Sequence, residues 1–259
     1  MPLLITLDGV RLSYRLEGSG PPLLLHMGGA CDSALWQAAG YLPRLANSYT
    51  CILLDHRGHG DSDHPAGADA NHIDRYVADI CALLDALRIE ATAFWGYSSG
   101  AVIGLKVSRE HPSRIRCLVM SGAIWNPSPL QLADVIASRT AEHREHGWEQ
   151  LIADIDDEES EMPDWMKARI RATDIEPYIG WWEARAKWDW NPWDALPHLN
   201  GPGLFVVGEL EDPDDDMAGA AGLMRRGQRI RVPGAGHISS FLDSAFVLPH
   251  VEAFLAAST

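Results

Sequence analysis

Short apolar runs alternate with helix-periodic stretches from Leu3 to Gly122, and that rhythm restricts the fold more than anything else in the chain. Pro22 to His26, Tyr49 to Asp55, Ala91 to Trp95 and Arg116 to Met120 are too short for helices and read as buried strands. Ile73, Tyr76, Val77, Ile80, Leu83, Leu84 and Leu87 recur at helical spacing, and Ala101 to Glu110 reads as a second helix. Parallel strands need crossover connections, so strand, helix, strand in this order specifies an α/β fold: a mostly parallel twisted sheet with helices on both faces. Leu3 to Leu7 and Arg11 to Leu16 read as a hairpin across the Asp8, Gly9 turn and form an antiparallel edge.

After Met120 the rhythm breaks. From Trp125 to His198 the sequence is helical and acidic, punctuated by Pro127, Pro129, Pro163, Pro177, Pro192 and Pro197. Sheet signals resume at Gly203 to Val207 and Gln228 to Val232, and Ser244 to Ala257 closes the chain as an apolar-periodic helix. The expected organisation is a core of residues 1–124 and 200–259 with residues 125–199 as an inserted helical lid, a size that 259 residues readily supply.

Gly96, Tyr97, Ser98, Ser99 and Gly100 spell G-x-S-x-G between the apolar run ending at Trp95 and the helix beginning at Ala101. A serine at a sharp strand-to-helix turn projects its hydroxyl from the sheet, and the amides opening the helix point at any negative charge beside it. An alcohol needs a base to become a nucleophile, and the base needs a carboxylate to orient it. His237 follows Gly234, Ala235, Gly236 just beyond the last expected strand, whereas His250 lies on the closing helix and His143 and His146 on the lid. The acid falls after Val207, in Gly208, Glu209, Leu210, Glu211, Asp212, Pro213, Asp214; the strand ending near Ser121 is followed by no acid. Cys31 has no histidine placed for it by the same logic.

With the elbow and Gly-x-Gly-His stand two further motifs, His26, Met27, Gly28, Gly29 after the third strand and Asp55, His56, Arg57, Gly58, His59, Gly60, Asp61, Ser62 after the fourth. In this order they resemble the serine-dependent branch of the α/β-hydrolase fold superfamily, esterases and lactonases among them. The resemblance spans essentially the whole chain. It implies Ser98 as nucleophile, His237 as base and Glu211 as acid, because the family's G-x-x-D spacing lands on Glu211; the adjacent Asp212 is the alternative. It implies an oxyanion hole made by the Ser99 amide and by Gly28, with Gly29 as the alternative since Met27 replaces the family's usual glycine. Asp55 and Arg57 fall to the scaffold. The expected reaction is hydrolysis of a carboxylic ester or lactone with an apolar or aromatic moiety, without cofactor or metal. Carbon–carbon bond hydrolysis and cofactor-free haloperoxidase or perhydrolase chemistry use the same triad, and a non-catalytic ligand receptor is the alternative of another class. Dehalogenase and epoxide hydrolase chemistry are disfavoured, because those relatives carry Asp where this chain has Ser98.

Thirty-six acidic against twenty-one basic residues leave a net charge of −15, which opposes nucleic acid and anionic membranes and leaves a small-molecule substrate as the expected partner. No apolar run approaches the length of a membrane span, and Met1 to Gly9 lacks a basic region followed by an apolar stretch, so the expected location is cytoplasmic. Cys31, Cys51, Cys81 and Cys117 are scattered and read as reduced thiols. The run Asp156, Asp157, Glu158, Glu159 reads as a solvated face. Trp148, Trp165, Trp181, Trp182, Trp188, Trp190 and Trp193 fall in the lid, where some can face an apolar substrate. Trp181 with Trp182, or Trp188 with Trp190, cannot point the same way on a helix. Nothing in the sequence sets the oligomeric state.

Overall fold

The computed structural model describes residues 2–122, 124, 127–158 and 162–258. In chain order, β1 (Leu3–Ile5), β2 (Arg11–Glu17) and β3 (Pro22–His26) precede the short helices α1 (Leu35–Ala38) and α2 (Leu42–Leu45); then come β4 (Thr50–Leu54), α3 (Ile73–Ala86), β5 (Thr92–Tyr97), α4 (Ser99–Glu110) and β6 (Ile115–Ser121). Helices α5 (Pro129–His146), α6 (Trp148–Glu158), α7 (Asp164–Ala172), α8 (Glu176–Arg185) and α9 (Pro192–Ala195) follow, with a 3-10 turn at Leu196–His198. The chain ends with β7 (Gly203–Gly208), α10 (Asp216–Leu223), β8 (Gly227–Val232), α11 (His237–Leu242) and α12 (Ser244–Ala256).

The eight strands form one sheet in the order β1-β2-β4-β3-β5-β6-β7-β8. β1 with β2, and β2 with β4, are antiparallel, and every other pair is parallel. Side chains alternate across a pleated strand, so β3 sends Leu23 and Leu25 to one core and Leu24 to the other. All three are fully buried, which stabilises the fold by roughly 1.5–3 kcal/mol each. The first core is closed by α1, α2 and α12, the second by α3, α4 and α10. β3 lies between β4 and β5, so chain order reverses there, and the crevice beyond the carboxyl ends of such strands is where α/β sheets bind ligands.

Ile152, Met166 and Ile170 of α6 and α7 join the first core, and Trp181 of α8 joins the second. α8 ends at Arg185, and the chain from Trp188 to Asn191 is not helical. Trp188 and Trp190 therefore stack on each other, centroids 5.9 Å apart, a pairing that the helical expectation had ruled out. Trp165 is 41% exposed, while Trp148 and Trp193 donate their indole N–H groups to the carbonyls of Thr173 and Ile124. Of the acidic run, Asp156 pairs with Lys167 at 2.6 Å. The side chains of Asp157 and Glu158 and all of Glu159 lie outside the described residues, as does Trp125 at the expected start of the lid. The four cysteines are free thiols. Among the described residues no helix is long and apolar enough to cross a membrane.

Candidate active site

Ser98 sits where β5 turns into α4, with φ 55° and ψ −125°. A positive φ is costly for a residue with a Cβ, and such strain persists only where the surroundings enforce it. Here they do. A methyl on Gly96 would lie 2.3 Å from the Gly100 carbonyl oxygen, and one on Gly100 would lie 2.6 Å from the carbonyl oxygen of His26, so both glycines let backbones pass at contact distance. The Ser98 amide donates to the Ser121 carbonyl at 2.8 Å, which ties the elbow to the end of β6.

The loop after β3 runs beside this elbow. A methyl on Gly28 would sit 2.6 Å from Ser98 Cβ and 3.2 Å from its Oγ, whereas one on Gly29 would strike the Tyr178 ring of α8. Gly28 is therefore packed on the serine itself and Gly29 faces across the cavity. Ala30 follows with φ 65°, its amide donating to His59 Nε2 at 3.0 Å.

On the other side, β7 and the turn before α11 approach so closely that a methyl on Gly208 would lie 2.3 Å from the Ala235 carbonyl oxygen. The Leu210 amide donates to that same oxygen at 2.9 Å. This contact brings together two residues far apart in sequence: His237 Nδ1 lies 2.5 Å from Glu211 Oε1. A carboxylate can only accept, so Nδ1 carries the proton and Nε2 is the basic nitrogen. Asp212 is committed elsewhere, its carboxylate accepting from the amides of Asp216 and Met217 at the start of α10.

His237 is the first residue of α11. Its carbonyl accepts from the hydroxyls of Tyr97 (3.2 Å) and Ser240 (3.0 Å). Tyr97 stacks its ring on the imidazole at 4.9 Å and 27°. Gly122, φ 91°, completes the ring of contacts: a methyl there would lie 2.9 Å from His237 Cε1 and 3.5 Å from the Ser98 amide nitrogen. Sequence reasoning passed over Gly122 and Tyr178 because both act through neighbours brought in by the fold.

Ser98, Ser99, Gly29 and His237 border one cavity of about 170 Å³. Its far walls are apolar, from Leu151, Ile155, Met166 and Ile170, and aromatic, from Tyr178, Trp181 and Trp182. Among the described residues Arg185 is the one permanently charged side chain that lines it. Burial pushes the Arg185 pKa down to about 10, helped by the charge of Arg139. Cys31 also borders the cavity, but burial pushes its thiol up to about 12, so almost no thiolate exists at neutral pH. The scaffold turn behind the site is dense: Arg57 is buried, bidentate to Asp79 at 2.7 Å and bonded to Asp8 at 3.0 Å, while Asp55 accepts from the Ser33 amide.

A mostly parallel eight-stranded sheet that presents a strained serine, a histidine and a carboxylate at its carboxyl edge defines the class of α/β hydrolases. The model of the alpha/beta hydrolase fold family matches residues 21–244, and the chain belongs to that family. It is 36% identical over 125 residues to the 2-hydroxymuconate semialdehyde hydrolase of Pseudomonas sp. (strain CF600), covering 47% of this chain and 43% of that one. It is 30% identical over 157 residues to the non-heme chloroperoxidase of Streptomyces lividans, 56% of each chain. The alignments thus span about half the length of these curated relatives. Among solved structures, the enol-lactonase of Burkholderia xenovorans LB400 superposes with a TM-score of 0.82 at 24% identity, over 98% of this chain and 100% of that one. A thermophilic esterase from Thermogutta terrifontis gives 0.86 at 21% identity, over 100% and 99%. These likenesses establish the shared fold.

Proposed function

We propose that the protein is a serine hydrolase that cleaves a compact carboxylic ester or lactone through an acyl-enzyme. The observation that carries this reading is the 2.5 Å bond from His237 Nδ1 to Glu211, which leaves a basic Nε2 on a histidine bordering the same cavity as the strained Ser98. Ser98 Oγ attacks the carbonyl carbon while His237 Nε2 takes its proton, and Glu211 stabilises the resulting imidazolium. The amides of Gly28 and Ser99 hold the oxyanion, each such donor contributing about a hundred- to a thousandfold in turnover. His237 then returns the proton to the leaving alkoxide, and water repeats the sequence on the acyl-enzyme. The helices between β6 and β7 act as a lid whose Trp181 and Trp182 contact the substrate. A volume of 170 Å³ is below the roughly 300–1,000 Å³ of drug-sized sites, which favours a small acyl group or a monocyclic lactone.

A fluorophosphonate probe tests the nucleophile: folded protein labels at Ser98, and His237→Ala abolishes labelling. Ser98→Ala should also lose hydrolysis of p-nitrophenyl butyrate, and retained turnover sinks the reading. The likeness to a 2-hydroxymuconate semialdehyde hydrolase makes carbon–carbon bond hydrolysis the second reading. Faster Ser98-dependent turnover of a vinylogous diketone than of any ester would put it first.

A further inference from the structure

We infer that Arg185 is an anion-recognition residue of this cavity, so that the preferred substrate carries a carboxylate remote from its scissile carbonyl. The inference rests on the acyl-transfer reading only for where that carbonyl lies, not for the anion contact itself.

The geometry begins on α8, where Tyr178, Trp181, Trp182 and Arg185 recur at i, i+3, i+4 and i+7 and all line the cavity. One end of this stripe is fixed at the chemistry, since the Tyr178 ring lies against Gly29 beside Ser98. The other end is the guanidinium. Its central carbon lies 5.4 Å from the Trp182 ring and 5.5 Å from the Trp188 ring, so two indoles hold it in place. Helical rise puts the charge one to two turns, about 5–10 Å, beyond Tyr178 along the helix axis. Side chains on a helix lean toward its N-terminus, which shifts the guanidinium toward the Ser98 end of that span.

The electrostatic setting favours an anion at that point. Arg139 of α5 lies over the same Trp182 ring at 5.2 Å, so two cations share one indole. Burial and Arg139 both disfavour the charged form of Arg185, and a carboxylate entering the cavity relieves that penalty. Among the described residues no acidic side chain lines the Ser98 cavity. Arg185 also borders a second cavity of about 490 Å³, where the carboxyls among the described lining residues belong to Asp189 and Asp194; neither of these lines the Ser98 cavity. The molecule's net charge of −15 repels anions at long range, so selection for one has to come from a local, planar donor such as this.

Binding to Ser98→Ala protein at pH 7.5, followed by tryptophan fluorescence and calorimetry, compares monomethyl adipate with dimethyl adipate. The expected result is at least tenfold tighter binding of the monoanion. Arg185→Met should bring the ratio near one, and Arg185→Lys should keep part of it. A ratio near one in the Ser98→Ala parent, or a tenfold ratio that survives Arg185→Met, overturns the assignment. Turnover of mono-p-nitrophenyl adipate and p-nitrophenyl hexanoate by the otherwise unaltered protein is measured alongside. A tenfold binding ratio without Ser98-dependent turnover upholds the Arg185 contact while overturning the ester reading.

Discussion

The backbone amide of Ala30 donates to His59 Nε2 at 3.0 Å, so His59 is neutral with its proton on Nδ1, facing the Arg57 carbonyl at 3.2 Å. Through that bond the loop beside Ser98 depends on a histidine's charge state. His59 is one of a buried row, with His56 3.9 Å from it and His26 4.8 Å beyond. Burial pushes His26 and His59 down to about 4 and His56 well below its usual value.

Depressed histidine values make the fold sensitive to acid, and the sign follows from proton uptake. Between about 6.5 and 4 the unfolded chain binds protons that the folded chain refuses, so stability present above pH 6.5 is lost as pH falls through this window. Each such histidine contributes at most about 1.4 kcal/mol per pH unit. The urea midpoint should therefore fall between pH 6.5 and 5.0, and His59→Gln, which still accepts from Ala30, should flatten the decline. An unchanged midpoint across that window would show that the row is not buried in neutral form.

Arg57 predicts a different kind of failure. It is 1% exposed and holds both oxygens of Asp79, whose carboxyl burial pushes up against the pull of the guanidinium. Arg57→Met leaves that carboxyl buried without its counter-ion and should cost about 3–5 kcal/mol in denaturant unfolding. Arg57→Met with Asp79→Leu should recover most of the loss. A double variant no more stable than the single one means that packing of the Arg57 stem, not the charge, matters.

Why some of this was legible in the sequence and some was not comes down to range. Parallel strands buried on both faces are continuous apolar runs, so β3, β5 and β6 stood out. The elbow glycines stood out because a sharp turn demands them locally. α10 is hidden because Asp216 to Leu223 carries two glycines and little periodicity, and α11 because it is only six residues long and follows Gly234 and Gly236, which signal a turn. Arg185 looked like any arginine in an acidic helical stretch. Only the packing of Trp182 and Trp188 around it reveals a held charge, and no local pattern encodes that.

Gly122 is a position where a single methyl tests the site. Its φ of 91° disfavours any side chain, and the added carbon would lie 2.9 Å from His237 Cε1. Gly122→Ala should push the imidazole off line with Ser98 and lower kcat/KM for p-nitrophenyl butyrate about a hundredfold, as displacements near 1 Å do. A kcat/KM within threefold of the parent would mean that the histidine yields without consequence.

Glu211 and Asp212 are neighbours with opposite commitments, which makes them separable by two measurements on two variants. Glu211→Gln keeps the shape but loses the charge that holds Nδ1–H, so Nε2 loses its bias toward the basic form; kcat should fall by about a hundred- to ten-thousandfold with little change in melting temperature. Asp212→Ala removes the acceptor of the Asp216 and Met217 amides at the N-terminus of α10. Its cost should appear in stability, about 1 kcal/mol or more, with kcat close to that of the parent. The two residues thus predict opposite patterns in kcat and in melting temperature. If Asp212→Ala instead proves the more damaging to kcat, the carboxylate that supports His237 in turnover is not the one bonded to it at rest.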